Sequence, residues 1–469
     1  MYNLAKKFCS FFVTASLCAS VLFGASLPGN TISHADTKPP EIEAAAAVLM
    51  DAGTGEILYS KDPHTQYEPA STTKMLTAIL VIENLDLNKK ITIAEDDLDL
   101  PGAKIPFAVG EKIKVLELLY AMMLNSANNC AYVLGKAVAG SNDKFVAMMN
   151  EKAVKIGAEN TVFKNPHGLP EEGHLSTAYD LAIIAKYCMG NEQFARIVRT
   201  KKHTIPPTDI FDEPRELQNT NRLLFDETNT VNVSGKDRAY KYEGITGIKT
   251  GSTDFEHGSL VASANRKGTK LIAVSLAGTE VGRFADCIKL LDYGFKKYYS
   301  HKVISKKEFD KKTHKVIGGK DGKVRMMIAE DVYVTLPKEA SKDIVKIKYD
   351  LPKKVKAPIK KGQKIGVLKI YESDMLTDEV NIFAAEAVGK GGPLSKLGIS
   401  DKVAIKIASA LGILLLLFII LFTIRAVNVK KARKRRAARR RQELLRIARE
   451  RKEKEDYYRR RNWPTDRFK

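Results

Sequence analysis

Ile407 to Ile424 is a run of 18 residues without a charged side chain, bounded by Lys406 and Arg425. At 1.5 Å per helical residue it spans about 27 Å, and the flanking cations reach the interfaces by snorkelling, which completes a bilayer crossing. Ile413 to Leu421 is apolar on every side of a helix, so the run suits lipid better than one face of a soluble core. It predicts a transmembrane helix over 405–427 and divides everything else in the chain into two sides. Just beyond it come Lys430, Lys431, Arg433, Lys434, Arg435 and Arg436, which the positive-inside rule assigns to the cytoplasm as a basic tail, 428–469. The formal charge of the whole chain is +22, but residues 425–469 hold 20 Lys/Arg against 6 Asp/Glu and so carry +14 of it. The other 424 residues carry only +8, which removes the nucleic-acid reading that the overall charge would invite. Anionic lipid is the expected partner of the helix and tail, and Leu444, Leu445 and Ile447 among the cations suit a basic amphipathic helix.

The other end has the form of a secretory signal over 1–35: Lys6 and Lys7, an apolar stretch from Phe8 to Leu27, and Ser33-His34-Ala35 as a cleavage site. Together the two ends predict an exported body tethered to the membrane by its C-terminus. Cys9 and Cys18 leave with the signal. The remaining Cys130, Cys188 and Cys287 are too few and too odd for a disulfide framework; one bridge is open, none is required.

Between the ends, Ala44–Met50, the turn 51–55 and Glu56–Ser60 read as a β-hairpin. The pattern turns helical from Ser71 to about Asn84 and again near 112–124, 127–139, 143–156 and 177–189. A polar, Pro-containing stretch occupies about 203–242. Gly244–Thr250, Gly258–Asn265 and Lys270–Ala277 then form an antiparallel meander, closed by a helix from about Arg283 to Tyr298. Strands at both ends with helices between them predict an α+β domain over 42–299 whose termini share one antiparallel sheet. Short-spaced turns and the alternation of Val345, Ile347 and Tyr349 with lysines predict a small all-β domain over 300–390, with 391–404 as linker.

The chemistry begins at Ser71-Thr72-Thr73-Lys74. Ser and Lys at i and i+3 share one helical face, so the amine reaches the hydroxyl and can take its proton if burial or other cations lower its pKa. Ser141-Asn142-Asp143-Lys144 has the same spacing, and Ser263-Ala264-Asn265 repeats the Ser-x-Asn of Ser126-Ala127-Asn128. Order discriminates: Ser71–Lys74, then Ser126–Asn128, then Lys249-Thr250-Gly251 at the end of a strand, whereas Ser263 follows the Lys-Thr-Gly. Ser141 and Ser263 are expected to be a helix start and a strand residue. No His-Glu-x-x-His or Cys/His cluster is present, so neither a metal nor another cofactor is expected.

With these elements in this order the chain resembles the penicillin-binding, active-site-serine D-alanyl-D-alanine carboxypeptidases, the low-molecular-mass group related to class A β-lactamases. Asn165-Pro166-His167-Gly168-Leu169-Pro170, Asn221-Arg222-Leu223-Leu224 and Ala357-Pro358-Ile359-Lys360-Lys361-Gly362-Gln363 extend the similarity over about 42–390. The resemblance implies a β-lactamase-like helical and antiparallel-sheet fold, a peptidoglycan stem peptide as substrate and β-lactam antibiotics as inhibitors. It implies Ser71 as the acylated nucleophile, Lys74 as its base and Ser126 as the relay of a proton to the leaving D-alanine. Asn128 would hold the substrate amide, Lys249 and Thr250 its carboxylate, and Gly251 would let its backbone approach. Backbone N–H groups of Ser71 and Ser252 would form the oxyanion hole, with His167 a possible accessory. A β-lactamase is the nearest alternative, and the Glu-x-x-Leu-Asn segment expected of one is missing between Asn128 and Lys249. A silent wall-binding scaffold would need none of Ser71, Lys74, Ser126 and Lys249 together. Transpeptidation differs only in the acceptor, which the motifs leave open.

Overall fold

The computed structural model describes residues 38–98, 100–252 and 258–461; the signal segment expected over 1–35 lies outside them. They fall into two compact units, one running to Ser305 and including Asp331–Lys346 and Tyr371–Met375, the other formed by Lys306–Glu330, Ile347–Ile370 and the chain from Leu376.

The first unit runs β1 (Ala46–Asp51), β2 (Ile57–Lys61), α1 (Lys74–Asn84), β3 (Lys90–Thr92), β4 (Lys112–Lys114), α2 (Val115–Leu124), α3 (Asn128–Ala139), α4 (Asn142–Lys155), α5 (Ala178–Met189) and α6 (Glu192–Arg199). There follow β5 (Lys202–Ile205), β6 (Arg215–Gln218), β7 (Thr230–Val233), β8 (Lys236–Ala239), β9 (Ile245–Ser252), β10 (Gly258–Arg266), β11 (Thr269–Gly278) and α7 (Gly282–Lys297). The main sheet has the order β2-β1-β11-β10-β9, antiparallel throughout, so the first described strand meets β11, the strand just before α7, as the strand distribution predicts.

Alternation along these strands builds two cores. Ala46, Val48 and Met50 of β1 join Val261, Ile272 and Val274 against the helices α1–α6. The intervening Ala47 and Leu49 join Leu260, Ala262 and Ala273 against Phe284, Ile288 and Leu291 of α7. A sheet covered on both faces explains why β10 and β11 read as nearly continuous apolar runs. Asp286 of α7 is fully buried and accepts from the backbone N–H groups of Glu43 and Ala44, at 3.0 and 2.8 Å, tying the entry of the chain to its last helix.

Two local expectations change. Lys112–Lys114 is a strand paired with Lys90–Thr92, not the start of a helix, because Lys-Ile-Lys alternates and buries only Ile113. The polar stretch 203–242 holds two hairpins, β5–β6 and β7–β8, in which β6 and β7 bury alternate residues. Cys130, Cys188 and Cys287 are free thiols, each buried.

The second unit is organised on a six-stranded sheet in the order Val345–Asp350, Lys364–Glu372, Met375–Ala384, Lys323–Met327, Thr313–Ile317, Val355–Lys356. Its chain continues into one helix, Asp401–Arg460, the sole described helix long and apolar enough to cross a membrane.

Replacing Asp286 with Ala leaves two backbone N–H groups unpaired, that of Ala44 in a buried position, which costs about 1–3 kcal/mol. The Asp286→Ala protein should therefore melt several degrees lower by calorimetry, and an unchanged melting temperature would show that this carboxylate does not tie the chain entry.

Candidate active site

The turn carrying Ser71 is a single 3-10 turn, Ala70–Thr73, that leads into α1 at Lys74. Ser71 is thus not an N-cap: neither this turn nor α1 has a side-chain cap. Ala70 takes a left-handed φ of +49°, and Gly168 packs so closely against it that a Cβ there would lie 1.9 Å from the Ala70 carbonyl oxygen. Only glycine fits that position. The neighbouring hydroxyls brace the turn: Thr72 Oγ1 donates to Pro69 O at 2.6 Å, Thr77 Oγ1 to Pro166 O at 2.6 Å, and Thr73 Oγ1 meets His174 Nε2 at 2.9 Å.

Lys74 is fully buried, and its Nζ reaches Ser71 Oγ at 2.9 Å, Asn128 Oδ1 at 2.8 Å and His167 O at 2.5 Å. Burial first, and the charge of Lys249 second, hold its pKa well below the ordinary lysine value. A neutral amine has two N–H groups and one lone pair. Two of the three partners only accept, while the third is a hydroxyl that can donate. The geometry matches a neutral Lys74 whose lone pair faces the Ser71 proton.

A cavity of about 640 Å³ opens over this group, lined by Ser71, Ser126, Asn128, Thr250, Gly251 and Ser252 among others. Ser126, with a left-handed φ of +61°, follows α2 and precedes α3. Strand β9 brings Thr250 to Ser252 to the opposite wall, where Thr250 Oγ1 meets Thr220 Oγ1 at 2.6 Å and Ser252 Oγ donates to Glu280 at 3.1 Å. A Cβ on Gly251 would lie 3.1 Å from Pro69 O and 3.2 Å from Ala70 Cβ. In the free protein the missing side chain therefore serves the approach of β9 to the nucleophile turn.

Three residues stand differently from the expectation. Asn128 spends its amide inside the protein: Oδ1 accepts from Lys74 and Nδ2 donates to Pro101 O at 2.8 Å. Lys249 is 1% exposed, donates to Thr250 O at 2.9 Å and does not line the cavity. Burial, then Arg283, lower its pKa to about 7. The His167 ring also stays off the cavity lining; its Nδ1 accepts from Leu169 N–H, and burial, then the Lys74 charge, lower its pKa to about 3. What His167 contributes to the site is its backbone carbonyl.

The decoy motifs are structural. Ser141 caps α4, accepting from Lys144 N–H, and Ser263 lies in β10 against Thr246.

Two cations that the motif reading leaves out do line the cavity. Arg283 donates to Gly251 O at 2.5 Å and pairs with Glu280, while Arg222 pairs with Asp226 at 2.7 Å and lies over the Tyr240 ring. Arg222 was in view within Asn221-Arg222-Leu223-Leu224, but only the fold turns it inward. A second omission is a clamp on the loop between Pro101 and Glu111. Arg215 donates to Pro106 O at 3.0 Å and to both oxygens of Glu111, a pair 5% and 0% exposed. Asn129 bonds both backbone groups of Ile105, and Asn128 N–H donates to Ala103 O at 2.7 Å. The loop that receives the Asn128 amide is thereby fixed from two sides.

The family model described as D-alanyl-D-alanine carboxypeptidase matches residues 33–280, and that described as penicillin-binding protein 5, C-terminal domain, matches 298–390. The D-alanyl-D-alanine carboxypeptidase DacF of Bacillus subtilis is 33% identical over 75% of this chain and 87% of its own length. The D-alanyl-D-alanine carboxypeptidase DacD of Salmonella typhimurium is 31% identical over 82% of this chain and 96% of its own. Among solved structures, penicillin-binding protein 5 of Haemophilus influenzae superposes with a TM-score of 0.60 at 28% identity, covering 76% of this chain and all of that one. A base-poised Lys74 beside Ser71, in a cavity walled by Ser126 and the Lys-Thr-Gly strand, thus sits on the matching fold, and the chain belongs to the D-alanyl-D-alanine carboxypeptidase family.

Proposed function

We propose that this protein is a membrane-anchored serine-type carboxypeptidase that removes the terminal D-alanine from peptidoglycan stem pentapeptides. The observation that carries the reading is the placement of Lys74 Nζ, 2.9 Å from Ser71 Oγ and held by two acceptors that take its two N–H groups and leave its lone pair facing the hydroxyl. Neutral Lys74 takes the Ser71 proton as Oγ attacks the penultimate carbonyl. Backbone N–H groups of Ser71 and Ser252 receive the oxyanion, and Ser126 passes a proton to the departing D-alanine. Water then hydrolyses the acyl-enzyme. Thr250 and Arg283 meet the substrate carboxylate, with the positive field of Lys249 behind the strand; Asn128 orients Lys74, and His167 serves through its carbonyl. β-Lactams acylate the same serine. The body, 42–299, and the small domain, 300–390, lie outside the membrane, with the span over 405–427 and the tail, 428–469, against anionic lipid inside.

Mass spectrometry of the full-length protein with a pentapeptide ending in D-Ala-D-Ala should show loss of one alanine. Ser71→Ala should abolish both that loss and labelling by a fluorescent penicillin, whereas Ser141→Ala should keep them. Lys74→Arg should lower acylation by orders of magnitude, because a guanidinium stays protonated. Trimming that survives in Ser71→Ala would reject the mechanism.

The pH dependence separates the two lysines. The charge of Lys249 helps to depress Lys74, so Lys249→Met should let the Lys74 pKa rise and move the acid limb of acylation to higher pH. An acid limb that stays in place would show that Lys249 does not set the proton affinity of the base.

The Arg215–Glu111 clamp gives a further test. Removing one partner of a buried ion pair costs about 3–5 kcal/mol, while replacing both by apolar residues is close to neutral. Arg215→Met should therefore lower both melting temperature and acylation. The double variant Arg215→Met, Glu111→Leu should regain stability but stay up to about 100-fold slow, because the loop behind Asn128 is no longer held. Full recovery of the rate in the double variant would make the clamp purely structural.

A further inference from the structure

The segment 391–404 is not a free linker. Pro393–Leu397 forms a 3-10 turn closed by Gly398 in the left-handed region, and the long helix starts three residues later at Asp401. Both are fastened to Gly318–Lys320 of the same unit. Gly318 N–H donates to Ser395 O at 2.9 Å, Gly391 N–H to Gly318 O at 2.9 Å, Lys320 N–H to Gly389 O at 3.0 Å and Asp401 N–H to Lys320 O at 3.2 Å. Asp401 Oδ1 accepts from Gly392 N–H at 2.8 Å, and Lys402 pairs with Asp321 at 2.8 Å. The base of the helix is thereby splinted to the turn.

We propose that this turn is a lipid-contacting foot, seated in the headgroup layer of the bilayer that the C-terminal helix crosses; the inference rests on the membrane reading above. Residues three apart in a 3-10 turn point the same way. Leu394 and Leu397 therefore share one side and are 47% and 77% exposed, while Ser395 between them is buried and bonds inward to Gly392 O. Lys396 is exposed on the turn, and Lys390 is exposed just before it. Two exposed apolar side chains with lysines next to them in the chain match an interface with apolar acyl chains below and anionic headgroups around it.

Position favours the same partner. From Asp401 to the start of the uncharged run at Ile407 the helix rises only about 9 Å. Val403 and Ile405, 47% and 65% exposed, already extend the apolar surface towards the turn. A headgroup layer is about 5–8 Å thick on each side of the hydrocarbon, so a turn fastened to the helix base lies within reach of it. A protein partner is the poorer match, because a stable interface covers about 800 Å² on each side, far more than two leucines supply.

The test is a polarity-sensitive label on Leu397→Cys in the full-length chain, reconstituted into vesicles of phosphatidylglycerol and phosphatidylethanolamine. Cys130, Cys188 and Cys287 are buried, and a wild-type blank sets the background. The same label on Leu415→Cys, within the apolar run, reports the span itself. Expected are a blue-shifted emission at 397 and about twofold quenching by lipids carrying a quencher near the headgroup. A water-like, unquenched label at 397 with a quenched label at 415 would overturn the foot and leave the span standing. Loss of quenching at both would instead reject the membrane reading. Shielding of 397 in cell membranes but not in pure lipid would assign the turn to a protein partner and equally overturn the proposal.

Discussion

The site depends on one buried amine. Lys74 is enclosed without a carboxylate partner among the described residues, and the group that acts most on its charge is another cation, Lys249. Burying an unpaired ammonium costs several kcal/mol, whereas a neutral amine escapes most of that penalty and can still donate twice. The fold therefore does more than place a lysine beside a serine. It excludes water and negative charge around Nζ and supplies two fixed acceptors, Asn128 Oδ1 and His167 O. Those acceptors belong to α3 and to the loop 165–170, so the proton affinity of one side chain links parts of the chain more than 90 residues apart.

The double-faced sheet makes this coupling rigid. β10 and β11 are packed on both sides, which leaves little freedom for β9 alongside β10. β9 is an edge strand, so one row of its backbone groups faces away from β10, towards the Ser71 turn. The absence of a side chain at Gly251 lets the strand close to van der Waals contact with Pro69 and Ala70. Ser71, Lys74 and strand β9 thus share one short distance scale, set by backbone contacts rather than by long side chains.

What the sequence made legible follows periodicity and order. The hairpin, the meander, the helices other than α6 and the ranking of Ser71 over Ser141 needed only alternation, spacing and the succession of motifs. The short strands between 202 and 239 were hidden because four-residue strands with at most two apolar side chains each carry almost no hydrophobic signal. The Arg215–Glu111 pair is invisible for another reason: its members are 104 residues apart, and only the packing of the 101–111 loop joins them. Asn128, Lys249 and His167 show the limit of motifs. Residue type and order located them near the site, but burial and hydrogen bonding decide which atom of each does the work, and those depend on the whole fold.

The C-terminal helix continues the same logic of charge and environment along one axis. Its apolar part, with Leu414, Leu415 and Phe418 each about 60% exposed or more, is covered by no protein surface among the described residues; lipid would satisfy that exposure, and the helix satisfies its own backbone. The next part has the opposite problem. Lys430, Lys431, Arg433, Lys434, Arg435, Arg436, Arg439, Arg440 and Arg441 fill 12 positions with nine cations and no acid, so like charges repeat at i,i+3 and i,i+4. Such pairs oppose helix formation, and ion pairs within the helix begin to offset them only farther on, as at Arg446–Glu450. An anionic surface next to the proposed span would remove this repulsion where it is greatest. The proposed membrane would thereby supply, beside the apolar run, the counter-charge that the helix sequence itself lacks between Lys430 and Arg441.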